Sequence, residues 1–133
     1  MVTNKVHQNT RGSRGIRTML LGLSLCFSLG LPYLNAEELV PEAPFQLEVR
    51  PDYEGAMCIA ELKWRDMSDN ELGFEVLRSQ NAGEFEVVGM VGANTSRYRD
   101  RVGKYLAGAY TYKVRAFNEA GKSEESNTAS VWF

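Results

Sequence analysis

The chain has few of the residues that supply most catalytic and covalent chemistry. Its 133 residues include one histidine, His7, and two cysteines, Cys26 and Cys58. Nucleophilic catalysis of the Ser/His or Cys/His type needs a histidine beside the nucleophile. His7 and Cys26 both lie in the first 36 residues, so the remainder has no histidine and a single thiol. We therefore expect no enzyme activity of this type and no internal disulfide in that remainder.

Acidic residues are absent from the first 36 positions, which carry four basic residues: Lys5, Arg11, Arg14 and Arg17. A leucine-rich apolar run from Met19 to Leu31 follows, and the small residue Ala36 precedes two glutamates. A basic start, a short apolar centre and a small residue before a polar stretch are typical of a secretory signal. The sequence thus predicts a signal peptide over residues 1–36, cleaved after Ala36, and a secreted or periplasmic protein.

Two other interpretations of this segment stay open. The signal could be retained as a membrane anchor, but the apolar run from Met19 to Leu34 is shorter than the ~20 residues of a spanning helix. Cys26 could instead accept a lipid, but Leu25 stands where a lipoprotein signal has Gly or Ala. We favour cleavage, and we expect contact with a membrane only if the signal is retained.

The charge balance changes when the signal is removed. Eleven of the 15 basic residues and all 17 acidic residues lie after position 36, which leaves a net charge of −6. An acidic domain repels the phosphate backbone, so nucleic acid is not an expected partner. About 97 residues are enough to bury a core that holds without disulfides. The sequence points to no cofactor.

The hydrophobic pattern after residue 44 has a period of two. In the segment 110–116, Tyr110, Tyr112 and Val114 alternate with polar residues, and the segment 56–64 behaves similarly. Alternation of this kind marks strands that are buried on one face. The predicted strands are 45–49, 56–64, 73–78, 85–91, 97–100, 110–116 and 128–133, with polar turns between them, among them Asp52–Gly55. Seven short strands without a helical pattern predict an antiparallel β-sandwich. Residues 37–44, with two prolines, are expected to be an extended lead-in.

Four blocks in order carry a resemblance to a known family. The run from Trp64 to Ser79, WRDMSDNELGFEVLRS, resembles the second and third strands of bacterial fibronectin type III modules. The runs GANTSRYRD at 92–100 and YTYKVRAFNEAGKS at 110–123 resemble the fifth and sixth strands, and SNTASV at 126–131 resembles the last. The resemblance implies an all-β, seven-stranded, immunoglobulin-like sandwich over residues 45–133. It implies little about function, because this fold serves many roles.

The resemblance also implies roles for several core residues. Trp64 would anchor the core between the two sheets, and Tyr110 would take the tyrosine-corner position, with its hydroxyl bonded back to the chain. Gly121 would supply a left-handed conformation in the final hairpin. The segment before Tyr110 is one residue longer than the family pattern, and either Val102 or Leu106 is expected to fill the core there.

Two groups of residues could carry chemistry and are better explained by structure. Asp66, Asp69 and Glu71 cluster in one loop, as in a calcium site, but a calcium ion needs six or more oxygen ligands. Asp66, Ser68 and Asn70 are turn formers that bond their own backbone. Cys58 falls on the inward face of its strand, which predicts an inert buried thiol. We therefore expect no metal site and no catalytic residue.

The remaining candidate site is an exposed sheet face. If Tyr110, Tyr112 and Val114 point inward, their neighbours point outward, and the third, sixth and seventh strands lie side by side in this fold. The predicted face holds apolar residues crossed by charges: Glu75, Leu77, Lys113, Arg115, Phe117 and Trp132. Tryptophan and arginine are enriched in binding hot spots. Isolated exposed apolar residues are also common, and Trp132 could merely cover a lysine stem.

The sequence favours a non-catalytic binding module that is exported and recognises a protein or a cell-surface glycan. The partner itself is not encoded in any motif, since neither an Arg-Gly-Asp tripeptide nor a phosphate-binding loop is present. The alternative is a structural or accessory subunit that self-associates or docks to a larger exported enzyme.

Overall fold

The computed structural model describes residues 38–133, and the predicted signal peptide lies outside the described residues. Residues 38–44 have no regular secondary structure, as expected for the proline-containing lead-in. Their course is fixed by side chains of the domain: Asn70 Nδ2 and Asn118 Nδ2 each donate to the Leu39 carbonyl oxygen at 2.8 Å. The lead-in therefore packs beside the loop after the second strand.

The chain folds into two antiparallel sheets. The small sheet has the order β1-β2-β5, with β1 at Phe45–Glu54, β2 at Met57–Arg65 and β5 at Arg97–Lys104. The large sheet has the order β4-β3-β6, with β3 at Gly73–Gln80, β4 at Glu86–Gly92 and β6 at Ala109–Asn118. The far side of β6 pairs with two short strands, β7 at Gly121–Lys122 and β8 at Ala129–Trp132. The all-β sandwich predicted from the sequence is confirmed.

The inner faces of both sheets supply the core. Its fully buried side chains are dominated by residues that alternate along the predicted strands: Tyr110, Tyr112, Phe74, Val76 and Val114. Ile59 is equally buried, but it lies on the outer face of the small sheet, where it aligns with Asp52 and Arg101. Trp64 is buried as expected and packs against Phe74, with the ring centroids 5.6 Å apart. Cys58 is also buried and is a free thiol, which donates to the Leu106 carbonyl oxygen at 3.8 Å.

A polar bridge crosses this core between the sheets. Asp100 of β5 accepts hydrogen bonds from Arg78 of β3 and from the Tyr112 hydroxyl of β6, both at 2.8 Å. All three side chains lie on inward-facing positions, since Asp100 aligns with Ala60 and Arg78 aligns with Tyr112. Burial and the Asp100 carboxylate raise the pKa of Tyr112, so its hydroxyl stays protonated and donates.

Several local predictions need correction. The predicted turn at Asp52–Gly55 begins later, because β1 continues to Glu54 and only Gly55 and Ala56 form the turn. Asp52 and Glu54 stay in strand conformation, where they pair with arginines of β5. The predicted last strand, 128–133, is present as β8, whereas the short strand β7 was not predicted and begins in the predicted turn that ends at Gly121. Between them, the Ser126 N–H donates to the Val114 carbonyl oxygen and the Ser126 hydroxyl accepts from the Val114 N–H, so a side chain supplies one of the two bonds of a strand pair there.

The region before β6 resolves the choice between Val102 and Leu106. Val102 packs against the core, whereas Leu106 is partly exposed at 39%. Tyr110 is buried as predicted, but its hydroxyl accepts from Gln80 Nε2 at 3.2 Å, and no bond to the backbone is present among the described residues. Gly121 has a positive φ of 145°, a value that side chains rarely adopt, which agrees with the prediction that this position needs glycine.

Candidate functional site

The six residues of the predicted face share the outer side of the large sheet. The register of β3 and β6 aligns Glu75 with Arg115 and Leu77 with Lys113, and on β8 Trp132 aligns with Ala109 of β6. Residues that align directly project from the same face of a sheet. Whether these residues bind a partner stays a prediction, but their exposure and spacing differ from what the sequence suggested.

Glu75 and Leu77 are not exposed. Their side chains project outward as predicted, yet each is at least nine-tenths buried, because β3 is the central strand of its sheet and long side chains from both neighbours cover it. Leu77 aligns with Lys113 on one side and with Val87 on the other. Lysine stems pack along apolar surface in this way while their charges stay in water. These two residues therefore offer little surface to a partner.

The charges of this face neutralise one another. Arg115 Nε donates to Glu75 Oε2 at 2.7 Å, and Lys122 Nζ lies 2.9 Å from Glu75 Oε1. Lys113 pairs with Glu125 at 2.6 Å, and its Nζ lies 4.1 Å from the ring centroid of Phe85. The aromatic residue beside this lysine is therefore Phe85 and not Trp132. Burial opposes ionisation of Glu75, but the hydrogen bonds from Lys122 and Arg115 lower its pKa below the ordinary 4.5. Ion pairing within the sheet leaves these cations little capacity for a partner.

Phe117 and Trp132 lie at opposite ends of the face. Phe117 aligns with Gly73 and Trp132 aligns with Ala109, so eight positions of β6 separate them. At ~3.4 Å per residue this is about 27 Å. The ring of Phe117 covers Gly73, where a Cβ atom would lie 3.1 Å from two ring carbons. Phe117 is therefore a packing residue of the sheet, and the two aromatics do not form one patch.

Trp132 instead lies at one end of the sandwich, where other exposed aromatic residues are also found. Four aromatic side chains of the described residues are strongly exposed, and three of them lie where β1, β5 and β8 end: Tyr53, Tyr105 and Trp132, with exposures of 57%, 87% and 72%. The fourth, Phe45, is at the start of β1. We call Tyr53, Tyr105, Trp132 and the half-buried Phe133 the aromatic end.

The aromatic end is anchored to the core by edge-to-face contacts between rings. Phe133 lies between Tyr110 and Tyr53, with both ring centroids 5.8 Å away and edge-to-face orientations. Two backbone hydrogen bonds between Phe133 and Gly108 hold it in place. Aromatic pairs with these geometries add about 0.5–1.5 kcal/mol beyond burial. Tyr53 is consequently held in position although its outer side faces solvent.

Tyr105 reaches the same end through the loop that follows β5. Its N–H donates to the Ala56 carbonyl oxygen at 3.2 Å, next to the turn between β1 and β2. Its φ of 53° lies in the left-handed region, which is uncommon for a tyrosine. Sequence reasoning missed Tyr53 and Tyr105. The available signal was that each aromatic lies within three residues of a turn glycine, Gly55 or Gly108, where side chains have no opposite sheet to cover them.

The acidic loop after β2 has a structural arrangement. Asp66 Oδ1 accepts from the Ser68 N–H at 3.1 Å, and Glu71 accepts from the Ser68 hydroxyl and the Asn94 N–H at 2.8 and 2.9 Å. Burial, aided by the neighbouring Glu71, raises the pKa of Asp66. Burial also opposes ionisation of Glu71, but its hydrogen bonds lower its pKa overall. Glu71 thus ties this loop to the loop after β4.

Metal-binding clusters and membrane-spanning helices are both missing from residues 38–133. No three or more His, Cys, Asp and Glu side chains in this range are grouped so that they could hold a metal ion. None of its segments forms a helix with the length and hydropathy required to cross a membrane.

Solved structures show which fold this is. The chain is similar to an Fn3-like protein from Clostridium thermocellum, at 23% identity and a TM-score of 0.53, over 68% of this chain and 90% of that one. A fibronectin type III domain of human collagen XX matches at 16% identity and a TM-score of 0.54, over 72% and 94% of the two chains. The fold is that of a fibronectin type III domain.

Other matches show that this fold occurs in proteins of different function. Domains A168–A170 of titin match at 21% identity and a TM-score of 0.57, over 70% of this chain but only 32% of the titin fragment. Some similar structures are parts of enzymes, so the fibronectin type III fold makes no statement about catalysis in the whole protein. No family model and no curated protein matches the chain. The fold commonly serves as a binding or structural module, and the site must come from surface residues.

Proposed function

We propose that this chain is an exported, non-catalytic interaction module that docks to a protein partner through its aromatic end. The observation that carries the proposal is the concentration of Tyr53, Tyr105 and Trp132 at one end of the sandwich, each more than half exposed. Tyrosine and tryptophan provide large contact areas at low cost in side-chain entropy, and they dominate binding hot spots.

The surroundings of the aromatic end resemble the rim of an interface. Arg101 and Glu54 are both exposed and pair at 2.5 Å near Tyr53. An apolar centre with a polar rim is the usual anatomy of a protein-binding site. Because Phe133 fixes the position of Tyr53, a partner would meet a surface that is partly ordered in advance, which lowers the entropic cost of binding.

Matched aromatic substitutions test this proposal. Trp132→Ser and Tyr105→Ser should each weaken partner capture by about tenfold or more, the minimum effect of a hot-spot residue at about 1.4 kcal/mol. Phe45→Ser is the control, since Phe45 is similarly exposed but lies outside the aromatic end. Capture is measured by pull-down from the native culture and then by titration with the partner. Equal capture by all three variants would reject the aromatic end as the docking site.

Export is the second component of the proposal, supported by the predicted signal over residues 1–36. Cell fractionation should recover the protein in the periplasm or the medium. N-terminal sequencing should then start at Glu37. A protein that keeps residues 1–36 and sediments with membranes would instead be anchored.

Self-association is the alternative function, and one observation favours it. Strand β4 is an edge of the large sheet, it carries exposed Val87 and Met90, and it contains neither lysine nor proline. Edges without such protection can pair with another strand. If this route operates, sedimentation at micromolar concentration should show dimers, and Val87→Lys should return the protein to monomers. A wild-type monomer under these conditions leaves docking to a partner as the function.

A further inference from the structure

The outer face of the small sheet concentrates the positive charge of an otherwise acidic domain. Seven of the eleven basic residues after position 36 occur on β1, β2 and β5 as outward-facing side chains: Arg50, Lys63, Arg65, Arg97, Arg99, Arg101 and Lys104. The domain as a whole has a net charge of −6. Strand register, not sequence proximity, brings these cations together, because β1, β2 and β5 are separate in the sequence.

Two adjoining grooves run along this face. The larger, of about 460 Å³, and the smaller, of about 270 Å³, share Glu48 and Lys63. We call the combined feature the basic trough, and its outward-facing lining is Gln46, Glu48, Arg50, Glu61, Lys63, Arg65, Arg97 and Arg99. Five of these side chains are cationic and two are anionic, which makes the trough locally positive.

The cations differ in how far they are neutralised. Arg99 lies within 3.2 Å of three carboxylates, those of Asp52, Glu54 and Glu61, so its charge is fully used. Within residues 38–133, by contrast, Lys63, Arg65 and Arg97 form no ion pair, and all three are exposed.

The three unpaired cations form a short row. Lys63 aligns with Arg97 across the sheet, and Arg65 follows Lys63 by two positions on the same face. Aligned strands lie about 4.8 Å apart and alternate residues about 7 Å apart. These spacings are below the Debye length of about 8 Å at physiological salt, so the like charges repel one another. A bound anion would relieve that repulsion.

We propose that the basic trough binds an acidic polysaccharide. Lys63, Arg65 and Arg97 would contact its carboxylate or sulfate groups, while Glu48 and Gln46 offer acceptors for its hydroxyls. A carboxylate-rich peptide has charges but few hydroxyls, so it would leave the acceptors of Glu48 and Gln46 unused. This site is separate from the aromatic end and does not depend on it.

The shape and lining of the trough disfavour other anionic ligands. It is shallow and open, which suits a chain of repeating charges better than a single small ion. Its apolar lining, Leu62 and Trp64, is buried, so it offers no side chain for insertion into a bilayer. The other ring, Tyr98, is half-buried and its hydroxyl donates to the Val88 carbonyl oxygen, so no ring of this lining is free for stacking on a nucleic-acid base.

The test uses the purified protein with polygalacturonate, dextran sulfate and neutral dextran, titrated at low and physiological salt. Binding to the two acidic polymers but not to neutral dextran is expected, with affinity falling as salt rises. Arg97→Gln should weaken binding roughly two- to fivefold, as expected for an exposed charge contact. The double variant Lys63→Gln with Arg97→Gln should weaken it roughly tenfold and flatten the salt dependence by about one unit of slope per charge removed.

Lys104→Gln is the matched control, because Lys104 is exposed, its substitution removes the same charge, and it lies outside the trough. This variant should bind like the wild type, and all variants should melt within about 1–2 °C of it, as expected for exposed positions. If Lys104→Gln and Arg97→Gln lost affinity equally, binding would depend on net charge and not on the trough, which would overturn the proposal. Failure to bind either acidic polymer, or tighter binding to duplex DNA or to anionic vesicles, would also overturn it.

Discussion

At the scale of single residues, Asp100 is a buried carboxylate that depends on two hydrogen-bond donors. It is 6% exposed and accepts from Arg78 and Tyr112 of the opposite sheet. Removing a buried acid leaves its partners without a charge to bind, which costs more than the lost bonds themselves. The bridge therefore favours one relative position of the two sheets, because any sliding would separate Asp100 from both donors.

Substituting Asp100 should cost more stability than substituting Tyr112, one of its two donors. Asp100→Ala is expected to lower the free energy of unfolding by about 2–4 kcal/mol, somewhat below a fully buried pair because Arg78 is partly exposed. Tyr112→Phe removes only a hydroxyl and should cost about 1–2 kcal/mol. Urea denaturation measures both values. If Tyr112→Phe were the more damaging substitution, the hydroxyl and not the ion pair would maintain the bridge.

Two other single residues, Phe117 and Trp132, differ in how far their side chains are packed against the protein. Phe117 covers Gly73 on the sheet, whereas Trp132 has 72% of its surface in solvent. Phe117→Ser should lower the melting temperature by several degrees, about 1–3 kcal/mol, as expected for loss of a cross-strand aromatic contact with partial burial. Trp132→Ser should stay within about 0.5 kcal/mol of the wild type. Thermal unfolding distinguishes the two, and equal losses would mean that Trp132 also packs.

At the scale of elements, the sequence pattern predicted strands well wherever one face is buried. In β6 every second residue is buried, from Tyr110 to Asn118, so alternation in the sequence corresponds directly to burial in the structure. The pattern was less informative for β3, whose residues are buried on both faces because ion pairs cover its outer side. The burial of Glu75 and Leu77 could not be predicted from alternation. Alternation indicates to which side of the sheet a side chain points, but not whether side chains of the neighbouring strands cover it.

The two short strands at the end of the chain, β7 and β8, show another limit of sequence reasoning. Ser123 and Ser126 donate their N–H groups to the carbonyl oxygens of Ala116 and Val114, but the return bonds from the N–H groups of those two residues go to the serine hydroxyls. A serine in a strand-like run has the same sequence signature whether it pairs through its backbone or its hydroxyl. The short strand β7 and the side-chain bonds that follow it therefore had no signal in the sequence.

At the scale of the whole molecule, the type and the order of the strands could be predicted from the sequence, whereas the two candidate binding surfaces could not. The core residues follow from periodicity and the resemblance, and Trp64 and Tyr110 are buried as both predicted. The basic trough and the aromatic end arise from residues far apart in the sequence, such as Tyr53 and Trp132. Such sites depend on register and loop course, which composition does not specify.

Acid should destabilise the whole domain through two carboxylates. Glu71 and Glu75 have folded-state pKa values below the ordinary 4.5, so each contributes stability above that pH and loses it as pH falls through its folded pKa. Asp66 acts oppositely, since a raised pKa makes protonation favour the folded state. Because two groups oppose one, we expect the free energy of unfolding to decline as pH drops below about 4.5.

Glu75→Gln tests the origin of that decline. At pH 7 it should cost roughly 1.5–3 kcal/mol, since an uncharged amide would lose the charge-assisted bonds to Arg115 and Lys122. The variant also lacks one of the titrating groups, so its stability should fall less than that of the wild type as the pH is lowered from neutrality to about 3.5. Urea denaturation across this range measures both slopes. Parallel curves for the two proteins would show that Glu75 is not linked to acid unfolding, and the ion pairs of the outer face would then contribute little to stability.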